Sequence, residues 1–213
     1  MNQINTLLNK QDNSEKIRDQ IAALLTLELK NQFTLASNQK IEDHKDFNIN
    51  VYIENSRPWQ LVRENKNPFP LINVCLNKIE EETTPGNDAK KKYTGQFYVD
   101  CWGCGNVNNE TENFTNDDYL ATIRAWKTAR IARNVLMSGF YTYLGIRQLV
   151  RKRRIASITT IIPNLTESAL AVVACRIILE VDFYEESPQA DATELDGISF
   201  TSDDSGNVRL IDI

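Results

Sequence analysis

Histidine is nearly absent: His44 is the single one in 213 residues. Nucleophilic catalysis of the Ser-His-Asp or Cys-His kind would have to rest on it. It stands in the polar stretch Glu42-Asp43-His44-Lys45 with no nucleophile signature nearby, and reads as a solvated loop histidine. Cysteine is also scarce. The four present (Cys75, Cys101, Cys104 and Cys175) are too few to staple a chain of this length. No apolar run approaches the roughly 20 residues needed to span a bilayer, so no membrane partner is expected. Met1-Asn2-Gln3-Ile4-Asn5 lacks a charged start followed by an apolar core, which argues against a secretory signal and for a cytoplasm, or a particle assembled there. Excess positive charge is missing too: the net charge is −5, so no overall basic field draws in nucleic acid. Gly103-Cys104-Gly105 has neither the lysine nor the hydroxyl of a phosphate-cradling loop.

What remains is an ordinary globular composition, 41% hydrophobic and 25% charged. The length suggests one domain with excursions. The first element is a helix: Asp12 caps it with Glu15 three residues on, and Ile17, Ile21, Leu24, Leu25 and Leu29 form one apolar stripe. Alternation predicts a strand over 47–54, which Arg57-Pro58-Trp59 breaks, and a second through Ile72, Val74 and Leu76. Residues 80–92 are polar and read as a loop. A strand with Phe97, Val99 and Cys101 on one face follows, then a Gly- and Asn-rich loop over 103–113. The next helix starts near Thr115 or Asn116 and runs through Leu120, Ile123, Trp126, Ala129, Ala132 and Leu136 to a stop at Gly139. A basic run opens the following strand through Ile155, Ile158 and Ile161.

The stretch Ala169 to Tyr184 carries the most information. On one side lie Ala169, Ala171, Val173, Cys175, Ile177, Leu179, Val181 and Phe183, apolar throughout. On the other, Leu170, Val172 and Ala174 give way to Arg176, Ile178, Glu180, Asp182 and Tyr184. Such a strand starts buried on both faces and ends wet on one. It outruns the usual strand of roughly 3–10 residues, and the excess calls for a neighbour to cover it. Beyond Glu185 the chain turns acidic. Ile198 to Ile213 reads as a hairpin around Asp203-Asp204-Ser205-Gly206-Asn207, or as a tail ordered by a partner. The expected plan is α+β: a mainly antiparallel sheet with helices packed on one face, a long final strand, a single domain over 1–185 and an acidic C-terminal extension over 186–213.

Three clusters invite a chemical reading. Cys101-Trp102-Gly103-Cys104 is a CxxC, so Cys101 and Cys104 are candidate metal ligands, but a zinc site needs two more. A strand-end turn that happens to hold two cysteines is the better supported reading. The carboxylates at Glu80-Glu81-Glu82, Asp117-Asp118 and Glu185-Glu186 are explained by solvation and helix-dipole pairing. The basic run Arg151-Lys152-Arg153-Arg154, joined by Arg124, Lys127, Arg130 and Arg133, permits nucleic-acid backbone contact, yet no aromatic platforms interleave with it. Self-complementarity accommodates both signs of charge: Arg151, Lys152, Arg153 and Arg154 of one subunit against Glu185 and Glu186 of the next, in a head-to-tail contact able to close a ring. A plain solvated face is the alternative. No catalytic group and no cofactor is expected.

The order of residues resembles a known family. Phe69-Pro70-Leu71-Ile72-Asn73-Val74 leads into a strand, and Tyr93-Thr94-Gly95-Gln96-Phe97-Tyr98-Val99-Asp100 forms the next. The Ala- and Arg-rich helix from Ala121 to Leu136, Tyr143-Leu144-Gly145 and the ending Ile178-Leu179-Glu180-Val181-Asp182-Phe183-Tyr184-Glu185 follow. This resembles the tail terminator, or tail completion, proteins of long-tailed bacteriophages and the neck proteins related to them, over roughly 47–185. The resemblance rests on pattern and order, without an invariant motif. It implies a non-enzymatic virion protein in the tail or neck. Such a protein forms a homohexameric ring on the last ring of tail tube protein, stops tube growth and presents a surface to the head–tail connector. A tail sheath is a further partner, and DNA passes through the ring without sequence-specific contact. Another neck, connector or tube-like component remains open, as does a small metal-binding or enzymatic domain built on Cys101 and Cys104.

Overall fold

The computed structural model describes residues 10–64, 70–82, 90–105, 114–163, 171–186, 198–202 and 208–212. The elements are α1 (Asn13–Asn38), a 3-10 turn (Glu42–Phe47), β1 (Asn50–Ile53), α2 (Pro58–Glu64), β2 (Leu71–Glu81), β3 (Lys90–Cys104), α3 (Phe114–Leu136), β4 (Val150–Ile161), β5 (Val172–Glu186), β6 (Ile198–Ser202) and β7 (Val208–Asp212). Five strands form one sheet in the order β1-β2-β3-β5-β4, while β6 and β7 form a two-stranded sheet of their own. Every pairing is antiparallel except that of β1 with β2. The fold is α+β.

The two faces of β5 follow the period of the sequence. Val173, Cys175, Ile177, Leu179, Val181 and Phe183 are buried in the main core. There they meet Val74, Phe97, Val99 and Cys101 from β2 and β3 and the apolar stripe of α1. Ile17, Ile21, Leu25 and Leu29 are at most 2% exposed, so all four contribute, at about 1.5–3 kcal/mol each, to holding α1 on the sheet. Glu15 secures the start of that helix by accepting the Asp12 backbone N–H at 3.2 Å.

Three expectations need correction. The first strand covers only Asn50–Ile53, because residues 42–47 wind into a 3-10 turn. The break at Pro58 is itself a short helix, α2, with proline at its first position, where the missing N–H costs nothing. It lies on the sheet face opposite α1 and α3: Trp59 and Leu61 pack against Leu71, Trp102, Cys104, Val172 and Ala174. Helices are therefore not confined to one face. The polar stretch 80–92 is strand at both ends. Lys91 there pairs with Glu81 (3.0 Å) and Lys92 with Glu82, so cross-strand charge extends a hairpin that apolar burial does not.

The helix expected to start near Thr115 or Asn116 is α3, Phe114–Leu136. Its buried side is Ala121, Ala125, Thr128, Ala129, Ala132 and Leu136, whereas Ile123 and Trp126 are 42% and 43% exposed. A row of small side chains lets the helix backbone come down onto β3 at Gly103. A Cβ there would lie 2.4 Å from the Ala121 carbonyl oxygen and 2.5 Å from the Ala125 nitrogen. Size, and not only hydrophobicity, decides which face of α3 turns inward, and it leaves the two large residues outside.

Candidate functional site

The distinctive surface is the sheet face opposite α1 and α3, beyond the end covered by α2. Alternation places Asn73, Tyr98, Asp100, Arg176, Glu180 and Asp182 there. Their side chains form ranks across the strands. Arg176 donates to both oxygens of Asp100, Nε to Oδ1 at 2.6 Å and an Nη to Oδ2 at 2.7 Å. Its guanidinium also lies 3.9 Å from the centre of the Tyr98 ring. Asp100 holds the Arg176 pKa further up, against the opposing effect of burial. Asn73, almost wholly buried, accepts the Asn55 N–H (3.1 Å) and donates to the Asn55 carbonyl (3.0 Å), tying the chain after β1 to β2. In the next ranks Arg154 pairs with Glu180 (2.5 Å) and Thr94 donates to Asp182 (3.0 Å). The result is a polar face whose charges are largely matched in place.

The basic run at the start of β4 is used mostly within its own chain. Arg153 turns to the helix side and donates to the carbonyls of Tyr141 (2.9 Å) and Ser138 (2.7 Å) in the turns that follow α3, each of which also accepts a backbone N–H. Burial lowers its pKa. Arg151 donates to the Tyr184 hydroxyl (2.7 Å) and lies over that ring. Arg154 is taken by Glu180. Lys152 sits opposite Asp182 in register and is exposed. Glu185 accepts the backbone N–H of Asn13 at 3.0 Å, next to the start of α1, and Glu186 ends β5 opposite Lys90. Within the subunit, then, Arg153 holds the turns after α3, Arg154 pairs across the strands with Glu180, and Glu185 meets the start of α1.

Among the described residues β4 forms one edge of the five-stranded sheet, pairing with β5 on one side only. Beside that edge, on the helix side, runs a groove of about 460 Å³ lined by Ile123, Trp126, Arg130 and Arg133 of α3 and Ile158 of β4. Among the described residues neither Arg130 nor Arg133 forms an ion pair, whereas Lys127 is paired with Asp46. Sequence periodicity placed Ile123 and Trp126 on the helix but did not decide which of its faces is buried. The available signal was the alanine row, which marks the close-packed side of the helix.

Cys101 and Cys104 are three residues apart in one strand, and a strand turns such residues to opposite faces. Cys101 lies in the core under the helices and Cys104 in the cluster under α2. The sheet separates the two thiols, so they do not converge on one ion. Among the described residues no group of three or more His, Cys, Asp or Glu side chains gathers into a ligand set. Burial pushes the thiols up: Cys75 and Cys175 to about 11, and Cys101 and Cys104 above the ordinary value of 9.0.

This fixes a pH dependence. Between pH 9 and 11 the unfolded chain loses thiol protons that the folded chain retains. The stability these groups contribute is therefore complete below pH 9 and falls as pH rises towards 11. Urea denaturation across that range is expected to show the decline, and Cys175→Ala should flatten it. An equally steep decline in that variant would assign the effect to other groups.

No family model matches the chain, and no curated protein matches it.

Proposed function

We propose that this protein is a structural subunit of a phage tail: a terminator that closes into a ring on the end of the tail tube and offers a docking surface to the head connector. The observation that supports it best is the 12-residue edge strand β4, which among the described residues pairs with β5 alone, flanked by an apolar and basic groove and continuous with a polar, charge-matched sheet face. Folded proteins that act alone blunt such edges with short strands, prolines or covering segments. β4 carries no proline and is long for an edge strand, and its guards are the basic run Arg151–Arg154 and two register irregularities. A heterologous contact made along an edge repeats from subunit to subunit and closes when the rotation permits. The resemblance over roughly 47–185 supplies the particular ring, a hexamer stacked on tail tube protein. The chemistry of the surface is that of assembly, with pairs matched in place and no activated nucleophile among them.

Mass in solution by light scattering, followed by negative-stain images, tests the reading. A closed ring with a central hole, alone or on added tail tubes, is the expected result. A monomer that leaves tail tubes uncapped overturns it.

A further inference from the structure

We infer that two copies of this chain pair through the outer face of α3, the two helices lying antiparallel about a twofold axis between Arg124 and Ala125. The inference goes beyond the ring reading, because an isologous pair closes at two copies while a ring repeats head to tail. With the alanine row of α3 turned to the sheet, Tyr119, Ile123, Trp126 and Arg130 are all exposed. They stand four, three and four residues apart, the contact stripe of one helix lying along another. The solvent face of an amphipathic helix is ordinarily polar. This one carries three large apolar or aromatic side chains in succession, Tyr119 the most exposed of them at 63%. The groove of about 460 Å³ between α3 and β4 runs beside the stripe and gives room for the side chains of a second helix.

The order of charge along the stripe selects both the occupant and its register. Asp118 stands exposed towards the N-terminal end of α3 and Arg130 and Arg133 towards the C-terminal end. None of the three forms an ion pair among the described residues. An antiparallel copy brings each end against the opposite one. With the axis between Arg124 and Ala125, Ile123 meets Trp126 of the second copy. Tyr119 meets Arg130 of the second copy, a cation over an aromatic face. Asp118 then falls between Arg130 and Arg133 of the second copy. At 1.5 Å per residue the two copies of Arg130 are about 16 Å apart along the helices, beyond the screening length of roughly 8 Å. Moving the axis on to Thr128 brings them to within about 6 Å and carries Asp118 past both cations. A parallel pair sets each arginine against itself, which is repulsive. The antiparallel register about Arg124 and Ala125 is the one that matches apolar to apolar and charge to charge.

The test measures mass by sedimentation over a range of concentrations, on the full chain and on two variants, Asp118→Arg and the double change Arg130→Asp with Arg133→Asp. The parent chain is expected to form pairs. Each variant alone meets like charge at both ends of the stripe, and should need roughly tenfold more protein to pair. A one-to-one mixture of the two variants restores opposite charges at both ends. Pairs are expected to return in it at the parent's concentration and to hold one chain of each kind, read from different tags. That recovery also shows that both variants fold. Pairing unchanged in both variants, or a mixture no better than its components, overturns the inference, and so does a parent chain that is monomeric throughout. Rings that neither variant disturbs overturn the pairing and leave the ring reading standing. Pairs that behave as expected while added tail tubes stay uncapped support the pairing and remove the ring reading.

Discussion

Gly103→Ala is expected to lower the stability of the fold by about 3 kcal/mol, the upper end of what overpacking costs. The reason is the identity of the atoms an added methyl would meet. At 2.4 Å lies the carbonyl oxygen of Ala121 and at 2.5 Å the nitrogen of Ala125, both backbone atoms of α3. A side chain in the way can rotate, but a helix must move as a body. Lifting α3 from β3 loosens the contacts of Ala121, Ala125, Ala129 and Ala132 together, all of them buried. Gly139 is the control. A Cβ there meets nothing within 4 Å, so Gly139→Ala should change stability by no more than about 0.5 kcal/mol. Urea denaturation midpoints at constant slope report both values. The substitution also bears on assembly. Ile123 and Trp126 ride on the helix that Gly103 seats, so displacing it reshapes the groove beside β4. If Gly103→Ala costs under about 1 kcal/mol, α3 is not held where the alanine row places it.

That helix also shows where sequence reasoning reaches and where it stops. The stripe of α1 and both faces of β5 were legible, because a large apolar side chain repeating at period 3.6 or 2 has one economical place to go. In α3 the same rule fails. Its large apolar residues, Ile123 and Trp126, and its small ones, the alanines, lie on different faces. The small ones win the core because they allow backbone to approach backbone at Gly103. Nothing in the helix alone announces that glycine, which lies in a strand of its own. The basic run from Arg151 to Arg154 was legible as a charge feature, but its use was not. Whether Arg153 faces outward or reaches the carbonyls after α3 depends on a register irregularity between Val150 and Lys152. The sequence favours a strand-end turn for the CxxC, whereas Cys101 and Cys104 belong to one continuous strand.

Asp100→Ala should be the second most damaging of the polar or glycine substitutions considered, at about 2–3 kcal/mol. Removing one partner of a fully buried ion pair costs roughly 3–5 kcal/mol, because the other charge is left without compensation. The Asp100 side chain is only 6% exposed, but that of Arg176 is 29% exposed, so water recovers part of the loss. Arg176 also keeps its place over the Tyr98 ring, 3.9 Å from its centre. Replacing both charges together, Asp100→Leu with Arg176→Met, removes the desolvation cost along with the attraction. The double variant is expected to lie within about 1.5 kcal/mol of the parent. The cycle separates two roles for this pair. If the double variant is as stable as the parent but no longer assembles, the pair serves to shape the open sheet face for a neighbour. If it is as unstable as Asp100→Ala alone, the carboxylate and guanidinium hold β3 to β5 in a way that apolar packing does not replace, and the face owes its form to the fold.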